Sequence, residues 1–451
     1  MLIGTGILAS PTLAFAAEES AHTGSHGEFA IIFFWIALLL LAAKIGSVVE
    51  RFGQPAVLGE LLVGVLLGNL TLVGISYFEA VSTNTIISFM SELGVVILLF
   101  QIGLESNIAE ITRVGTKSLL VAVVGVVMPF VLGTYLVGPI MLPGLNPNAY
   151  LFLGAALTAT SVGITARVFK DLGALKSRES KIVLGAAVID DVLGLIILAI
   201  VTAIVTVGSV SIFDVGIIVG KSVGFLIGSI AFGLMFAPKI GKWMAKIQTS
   251  VGMKFTLAIS FGLVFAYLAQ LIGLAPIIGA FAAGLVLDPI YFRHFKTSEI
   301  VHEIKEIMGE LQELKSKNRE RIFGALQHHE LRHVEEIIEA ISYFLVPLFF
   351  VHTGMQVDLT TLANPEVVFI ALIVTAVAFI GKISAGAVAG NNVNKWLIGF
   401  GMVPRGEVGL IFASIGAGLG VITDDLFSVI IIMVILTTLT TPPLLSHLLK
   451  K

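Results

Sequence analysis

The chain contains no cysteine. That absence excludes a disulfide framework, a thiolate zinc site, an iron–sulfur cluster and thiol catalysis. Charge is nearly as scarce: Asp, Glu, Lys and Arg make up 13% of the 451 residues, against roughly a quarter in a soluble domain. Neither sign dominates, and a net charge of −3 with a pI near 6.3 gives no reason to expect a nucleic-acid partner. Period-two alternation is also missing, which rules out a membrane barrel. What is present is apolar: 57% of residues are hydrophobic and the mean hydropathy is +1.01. A soluble globular fold is thereby excluded, leaving an all-α polytopic protein whose lipid partner is the bilayer.

Stretches of about 20 apolar residues occur about thirteen times. They lie near 29–49, 55–73, 84–104, 117–141, 149–169, 182–207, 213–237, 252–272, 275–288, 337–355, 366–390, 396–420 and 426–448. Basic residues test that count. Lys44/Arg51, Arg113/Lys117, Lys170/Lys176/Arg178/Lys181, Lys239/Lys242/Lys246, Arg293 onward, Lys395 and Lys450/Lys451 fall on every second connection. The connections between them, near 74–83, 142–148, 208–212, 273–274, 356–365 and 421–425, hold no Lys or Arg. Since basic residues stay cytoplasmic, the N-terminus is expected outside and the C-terminus inside. Residues 1–28 read as an external arm or, over 1–19, a signal segment lacking the usual basic start. Residues 290–336 form the one long hydrophilic stretch, expected as a charged cytoplasmic helix. No G-x-G-x-x-G fold follows the last span, so no nucleotide-binding domain is expected.

The second and ninth spans echo each other, Ala56-Val57-Leu58-Gly59-x4-Gly64 against Pro276-Ile277-Ile278-Gly279-x4-Gly284. The third and tenth do likewise, Gly103-Leu104-Glu105 against Gly354-Met355-Gln356. Both matches are displaced by seven spans, an odd number, which turns the second copy upside down. The chain therefore parses as two inverted six-helix repeats joined by a linker helix at 213–237, the plan of many secondary transporters.

Ionisable residues deep in a span are functional by default. Asp190 and Asp191 come about nine residues, or about 14 Å, into the sixth span. Lys382 interrupts the eleventh, and Pro404-Arg405-Gly406-Glu407 the twelfth. The fifth span, the twelfth's counterpart, carries Thr158-Ala159-Thr160-Ser161. Crossed, locally unwound helices would place carbonyls and opposed helix ends there. Adjacent helical residues point about 100° apart, so Asp190 is assigned to an ion pair with Lys382 and Asp191 to the water-filled ion pathway. A dehydrated sodium ion would take oxygens from Asp191, Thr160 or Ser161 and unwound carbonyls. Burial disfavours a charged carboxylate, so Asp191 is protonated or cation-bound but not both. Two ligands competing for one alternately exposed site amount to exchange. A cation that loosens the Asp190–Lys382 pair could release a second proton from the lysine, making transport electrogenic. Arg405 and Glu407 are read as structural charges, pairing with each other or with helix ends. Glu60 and Gln101 read as packing groups or vestibule lining, His352 as a buried hydrogen-bonded histidine, and His328, His329 and His333 as a solvated face. The chain is thus expected to be a transporter and not an enzyme, with no cofactor.

At these residues the sequence resembles the monovalent cation:proton antiporter-2 family. The likeness rests on Gly185-Ala186-Ala187-Val188-Ile189-Asp190-Asp191-Val192-Leu193-Gly194, Thr160-Ser161, Ala275-Pro276-Ile277-Ile278-Gly279-Ala280-Phe281, Lys382 and Pro404-Arg405-Gly406-Glu407, and spans residues 30–448. The overall look is of the cyanobacterial thylakoid type. The resemblance implies a thirteen-helix homodimer with the sodium/proton antiporter fold, in a bacterial inner membrane or a thylakoid. It implies a moving core at 105–208 and 358–451. Dimerisation segments at 29–104, 239–289 and 337–357, with a linker at 209–238, would stay still. By the same resemblance Asp191 matches the cation- and proton-binding carboxylate, and Asp190 the lysine's partner in electrogenic sodium exchangers. Glutathione-gated potassium members carry Gln at that position, which favours Na+, and with it Li+, over a K+/H+ antiporter. A sodium-coupled organic-anion symporter would need a roomy polar cavity, and a cation channel would move no protons in fixed ratio.

Overall fold

A computed structural model describes residues 26–52, 54–105, 115–171, 174, 177–207, 212–287 and 316–449. Every regular element among them is helical. The first three long elements are α1 (His26–Gly46), α2 (Ala56–Gly68) and α3 (Thr85–Glu105). Next, α4 (Thr116–Val131) runs on through a π turn at Leu132–Val137 and a last turn at Gly138–Met141. They are followed by α5 (Pro147–Ala156), α6 (Val162–Asp171) and α7 (Arg178–Val207). The chain continues with α8 (Ile212–Ile247), α9 (Val251–Leu271), α10 (Pro276–Val286) and α11 (Ser316–Met355). It ends with α12 (Pro365–Ala387), α13 (Lys395–Gly401), α14 (Glu407–Gly418) and α15 (Asp424–Leu449).

Each apolar segment read from the sequence falls on these helices. Eight are long and apolar enough to cross a membrane by themselves. The seventh is the linker α8, which bends by 48° between Val219–Gly233 and Pro238–Ile247, where Pro238 withholds a backbone donor. That helix runs on past Lys239, Lys242 and Lys246, which the sequence reading had placed in a connection. The second and ninth segments are the short helices α2 and α10. The fifth and twelfth are broken, as α5/α6 and α13/α14. The hydrophilic stretch before the tenth segment is continuous with it, since α11 is one 40-residue helix from Ser316 to Met355. Residues 1–25 and 288–315 lie outside the described residues, as do the side chains of His328, His329 and His333.

Local sequence sets several starts. Asn146 caps α5 by accepting from Asn148 N–H, with Pro147 in the first turn, and Asn364-Pro365 does the same for α12 through Glu366 N–H. Asn394 caps α13 through Leu397 N–H.

Packing divides the helices into two bundles. α1, α2, α3, α9, α10 and α11 pack most closely on one another, and so do α4 to α7 with α12 to α15. α8 touches α7 of one and α10 of the other. The inverted repeat reappears in the contacts of the first bundle. A Cβ on Gly64 of α2 would collide with Val351 C=O and Gly354 of α11, and a Cβ on Gly284 of α10 with Phe100 C=O and Gly103 of α3. These are the same contacts carried from one repeat to the other. Gly354 against Leu61 and Gly64 likewise mirrors Gly103 against Phe281 and Gly284. Small residues at such positions let helix backbones approach closely where lipid supplies no hydrophobic drive between helices.

Candidate functional site

The two interruptions have different causes in the sequence. Pro404 cannot continue a helix, whereas Thr158, Thr160 and Ser161 offer the backbone competing hydroxyl partners. α5 ends at Ala156 and α6 begins at Val162; α13 ends at Gly401 and α14 begins at Glu407. The two unwound stretches lie against each other. Ser161 N–H donates to Pro404 C=O at 2.9 Å, and Thr160 Oγ1 to Met402 C=O at 3.0 Å. From α6, Thr165 Oγ1 donates to Gly401 C=O at 2.9 Å. Only glycine fits at 406, because a Cβ there would lie 2.8 Å from Ser161 Cβ and Oγ.

Arg405 is fully buried at this crossing. Its guanidinium donates through Nη1 to Ala159 C=O and through Nη2 to Ala378 C=O of α12 at 3.4 Å. Arg405 thus meets the carbonyl-rich end following α5, where a positive charge offsets the helix dipole. Glu407 opens α14, an acidic residue at a positive helix start; its side chain lies outside the described residues. The carbonyl of Arg405 in turn accepts from Thr438 Oγ1 of α15. The unwound carbonyls of Ala159, Met402, Pro404 and Arg405 each accept one protein hydrogen bond, which occupies one of the two lone pairs on each oxygen.

Asp190 lies at mid-length of α7 and points into the second bundle. Its Oδ1 accepts from Lys382 Nζ of α12 at 2.8 Å, with both side chains at 0% exposure. The other oxygen, Oδ2, is buried without a hydrogen-bond partner, as is Arg405 Nε. Asp190 feels the charges of both Lys382 and Arg405. Asp191, one residue on and turned about 100°, is only partly buried and close enough for its charge to act on Lys382. The structure thus gathers Asp190, Asp191, Lys382, Thr160, Ser161 and Arg405 around one crossing, with the backbone of Glu407 beside them.

The sequence reading missed Thr165, Thr438 and the Ala378 carbonyl. The signal for Thr438 was the threonine-rich thirteenth span. Thr437 and Thr441 there bond their own helix carbonyls, and Thr438 alone of the three turns to the break. Glu60 is buried on α2 and Gln101 partly buried on α3, both in the first bundle. His352 Nε2 donates to Ser82 C=O at 3.0 Å and lies 3.5 Å from Ser88 Oγ.

Comparison with known proteins gives a consistent picture. Residues 34–314 and 322–451 match the family described as sodium/hydrogen exchanger, transmembrane. The chain is 36% identical over 444 residues to the high-affinity Na+/H+ antiporter NhaS3 of Synechocystis, covering 90% of this chain and 87% of that one. It is 35% identical over 421 residues to the Na+/H+-K+ antiporter GerN of Bacillus cereus, covering 92% and 95%. Among solved structures, the sodium proton antiporter MjNhaP1 of Methanocaldococcus jannaschii shares the fold, with a TM-score of 0.68 over 94% of this chain and 99% of that one. Sequence identity to it is 16%, so the likeness is one of fold.

Proposed function

The chain belongs to the sodium/hydrogen exchanger family, and on that premise we propose that it exchanges sodium ions for protons across a membrane by alternating access. The observation that carries this reading is the fully buried Asp190–Lys382 pair beside the partly buried Asp191 where two broken helices cross. Asp191 is the exchanging group. Empty of sodium it takes a proton; with sodium bound it cannot. Thr160 Oγ1 donates to Met402 C=O and also lies within hydrogen-bond reach of Asp190, so its lone pairs stand where a cation beside the aspartates would take a ligand. Ser161 supplies a second hydroxyl. Asp190 holds Lys382 charged, and entry of a cation beside them weakens the pair, so that the lysine releases a second proton. Two protons per cation make the exchange electrogenic.

In this reading the chain crosses the membrane thirteen times, with its N-terminus outside and its C-terminus cytoplasmic, which the alternation of basic residues supports. The second bundle is the moving core. The first is the stationary scaffold through which two copies pair, in a bacterial inner or thylakoid membrane. Lithium is carried as well as sodium. The likeness to an antiporter whose name includes K+ makes potassium the second cation to test.

The test is purified protein in liposomes with an imposed pH gradient and a lumenal pH dye. Sodium-triggered proton efflux that disappears in Asp191→Asn supports the reading, and sodium uptake without proton flux refutes it. Li+ and K+ in the same assay give selectivity, and a potential-sensitive dye gives electrogenicity.

A further inference from the structure

Apolar contacts between the two bundles are distributed unevenly from one end of the molecule to the other. One continuous cluster contains both Phe350 of α11 and Phe412 of α14, and so joins the bundles. Its members from the second bundle run from Leu195 onward on α7, up to Ala378 on α12 and up to Val434 on α15. All of these lie on the side of the crossing that faces the connections without Lys or Arg. Among the described residues on the basic side, the apolar contacts fall into separate clusters. Phe169 of α6 belongs to a cluster made of the second bundle alone. Phe100 of α3 belongs to another, made of the first bundle with α8.

A polar contact joins the bundles at the same lysine-free end. Thr353 Oγ1 and Ser414 Oγ lie 3.4 Å apart. Thr353 is two residues from the end of α11 and Ser414 four from the end of α14. Ser414 also stands eight residues, about 12 Å, beyond Gly406 at the crossing. Nearby, Asn69 ties the end of α2 to the connection between the bundles, donating to Val357 C=O at 2.7 Å and accepting from Leu359 N–H at 2.8 Å.

We propose that this conformer is closed at the lysine-free end and open toward the basic one, and that Thr353 and Ser414 are the polar part of the closing gate. The proposal rests on the exchange reading above and assigns it two further residues. A neutral hydroxyl pair is weak enough to part in every cycle, while the apolar layer around it keeps water out. Asn69 pins the connecting segment to the first bundle, so opening moves the second bundle and carries Ser414 away from Thr353.

The chain has no cysteine of its own, so introduced thiols report alone. The experiment is the full-length double variant Thr353→Cys/Ser414→Cys in proteoliposomes, with each single variant as control. Reduced, the double variant exchanges sodium for protons. Oxidised, it cross-links within the chain and exchange falls at least tenfold, returning with reductant, while the single variants ignore the oxidant. Cross-linked protein that exchanges at full rate overturns the proposal, and so does failure to cross-link. Should the double variant be inactive when reduced, a membrane-impermeant maleimide applied from outside to Thr353→Cys decides. Labelling is slow at rest and several-fold faster with sodium and a pH gradient; equal rates overturn the gate. Absence of exchange in the unmodified protein would instead defeat the functional reading, and cross-linking yield would still report whether the two positions meet.

Discussion

Removing either partner of the Asp190–Lys382 pair provides the sharpest energetic test. At 2.8 Å and complete burial, the gross attraction is about 6 kcal/mol for an effective dielectric of 20. Desolvation of two ions offsets much of that, but truncating one partner leaves the other charge stranded, which typically costs about 3–5 kcal/mol. Lys382→Met strands Asp190, whose Oδ2 is already without a partner. Asp190→Asn leaves Lys382 beside the positive charge of Arg405 with only the partly buried Asp191 as an opposite charge. Each single substitution is therefore expected to destabilise by about 3–5 kcal/mol. The combined variant should cost less than the sum of the two, because the Lys382 charge leaves together with that of Asp190, although Arg405 then loses Asp190 as its opposite charge. Unfolding of detergent-solubilised protein, followed by tryptophan fluorescence, measures all three. Costs that simply add would show that the short ion pair is energetically idle and would remove the physical ground for a cation-sensitive lysine. The same Lys382→Met protein, if it still transports, should show no sodium-driven change in membrane potential.

Three other outcomes follow from the geometry. Because proton and sodium compete for Asp191, the apparent KM for sodium should rise by up to about tenfold per unit fall in pH once the protonated form dominates; a pH-independent KM in the liposome assay would contradict a shared site. Thr438→Val leaves the buried Arg405 carbonyl without its donor, which should cost about 1–3 kcal/mol and raise the sodium KM, with Thr438→Ser restoring both; unchanged melting and KM would make Thr438 a bystander. Gly64→Ala and Gly284→Ala create the same backbone collision in opposite repeats, so each should destabilise by about 1–3 kcal/mol, and melting curves that distinguish them widely would contradict the mirrored packing.

Much of the architecture can be read from the sequence because lipid allows few solutions. Long apolar runs must be helices, and basic residues mark alternate ends. Pro404 and the Thr158–Ser161 cluster announce breaks through backbone chemistry that needs no tertiary information. The pairing of Asp190 with Lys382 follows from the 100° turn between neighbouring aspartates and the cost of an unpaired charge. What stays hidden depends on which backbone atoms meet. Arg405 had two plausible kinds of partner, and residue types alone do not reveal that Ala159 and Ala378 would offer carbonyls. The Leu132–Val137 π turn has no distinctive composition, and Thr438 differs from Thr437 only in the direction it faces. The continuity of α11 is hidden in the sequence because hydropathy separates its charged and apolar halves, although the backbone does not.

The mirrored glycine contacts also describe the conformer that is not seen. If each repeat adopts the shape of the other, residues trade places along the correspondence that takes Gly354 to Gly103 and Gly406, just before α14, to Ser161, just before α6. Thr353 then maps to Ile102 and Ser414 to Phe169. If the Thr353–Ser414 pair is the gate of the present conformer, the opposite conformer would be sealed at the basic end by a greasy contact between those two side chains.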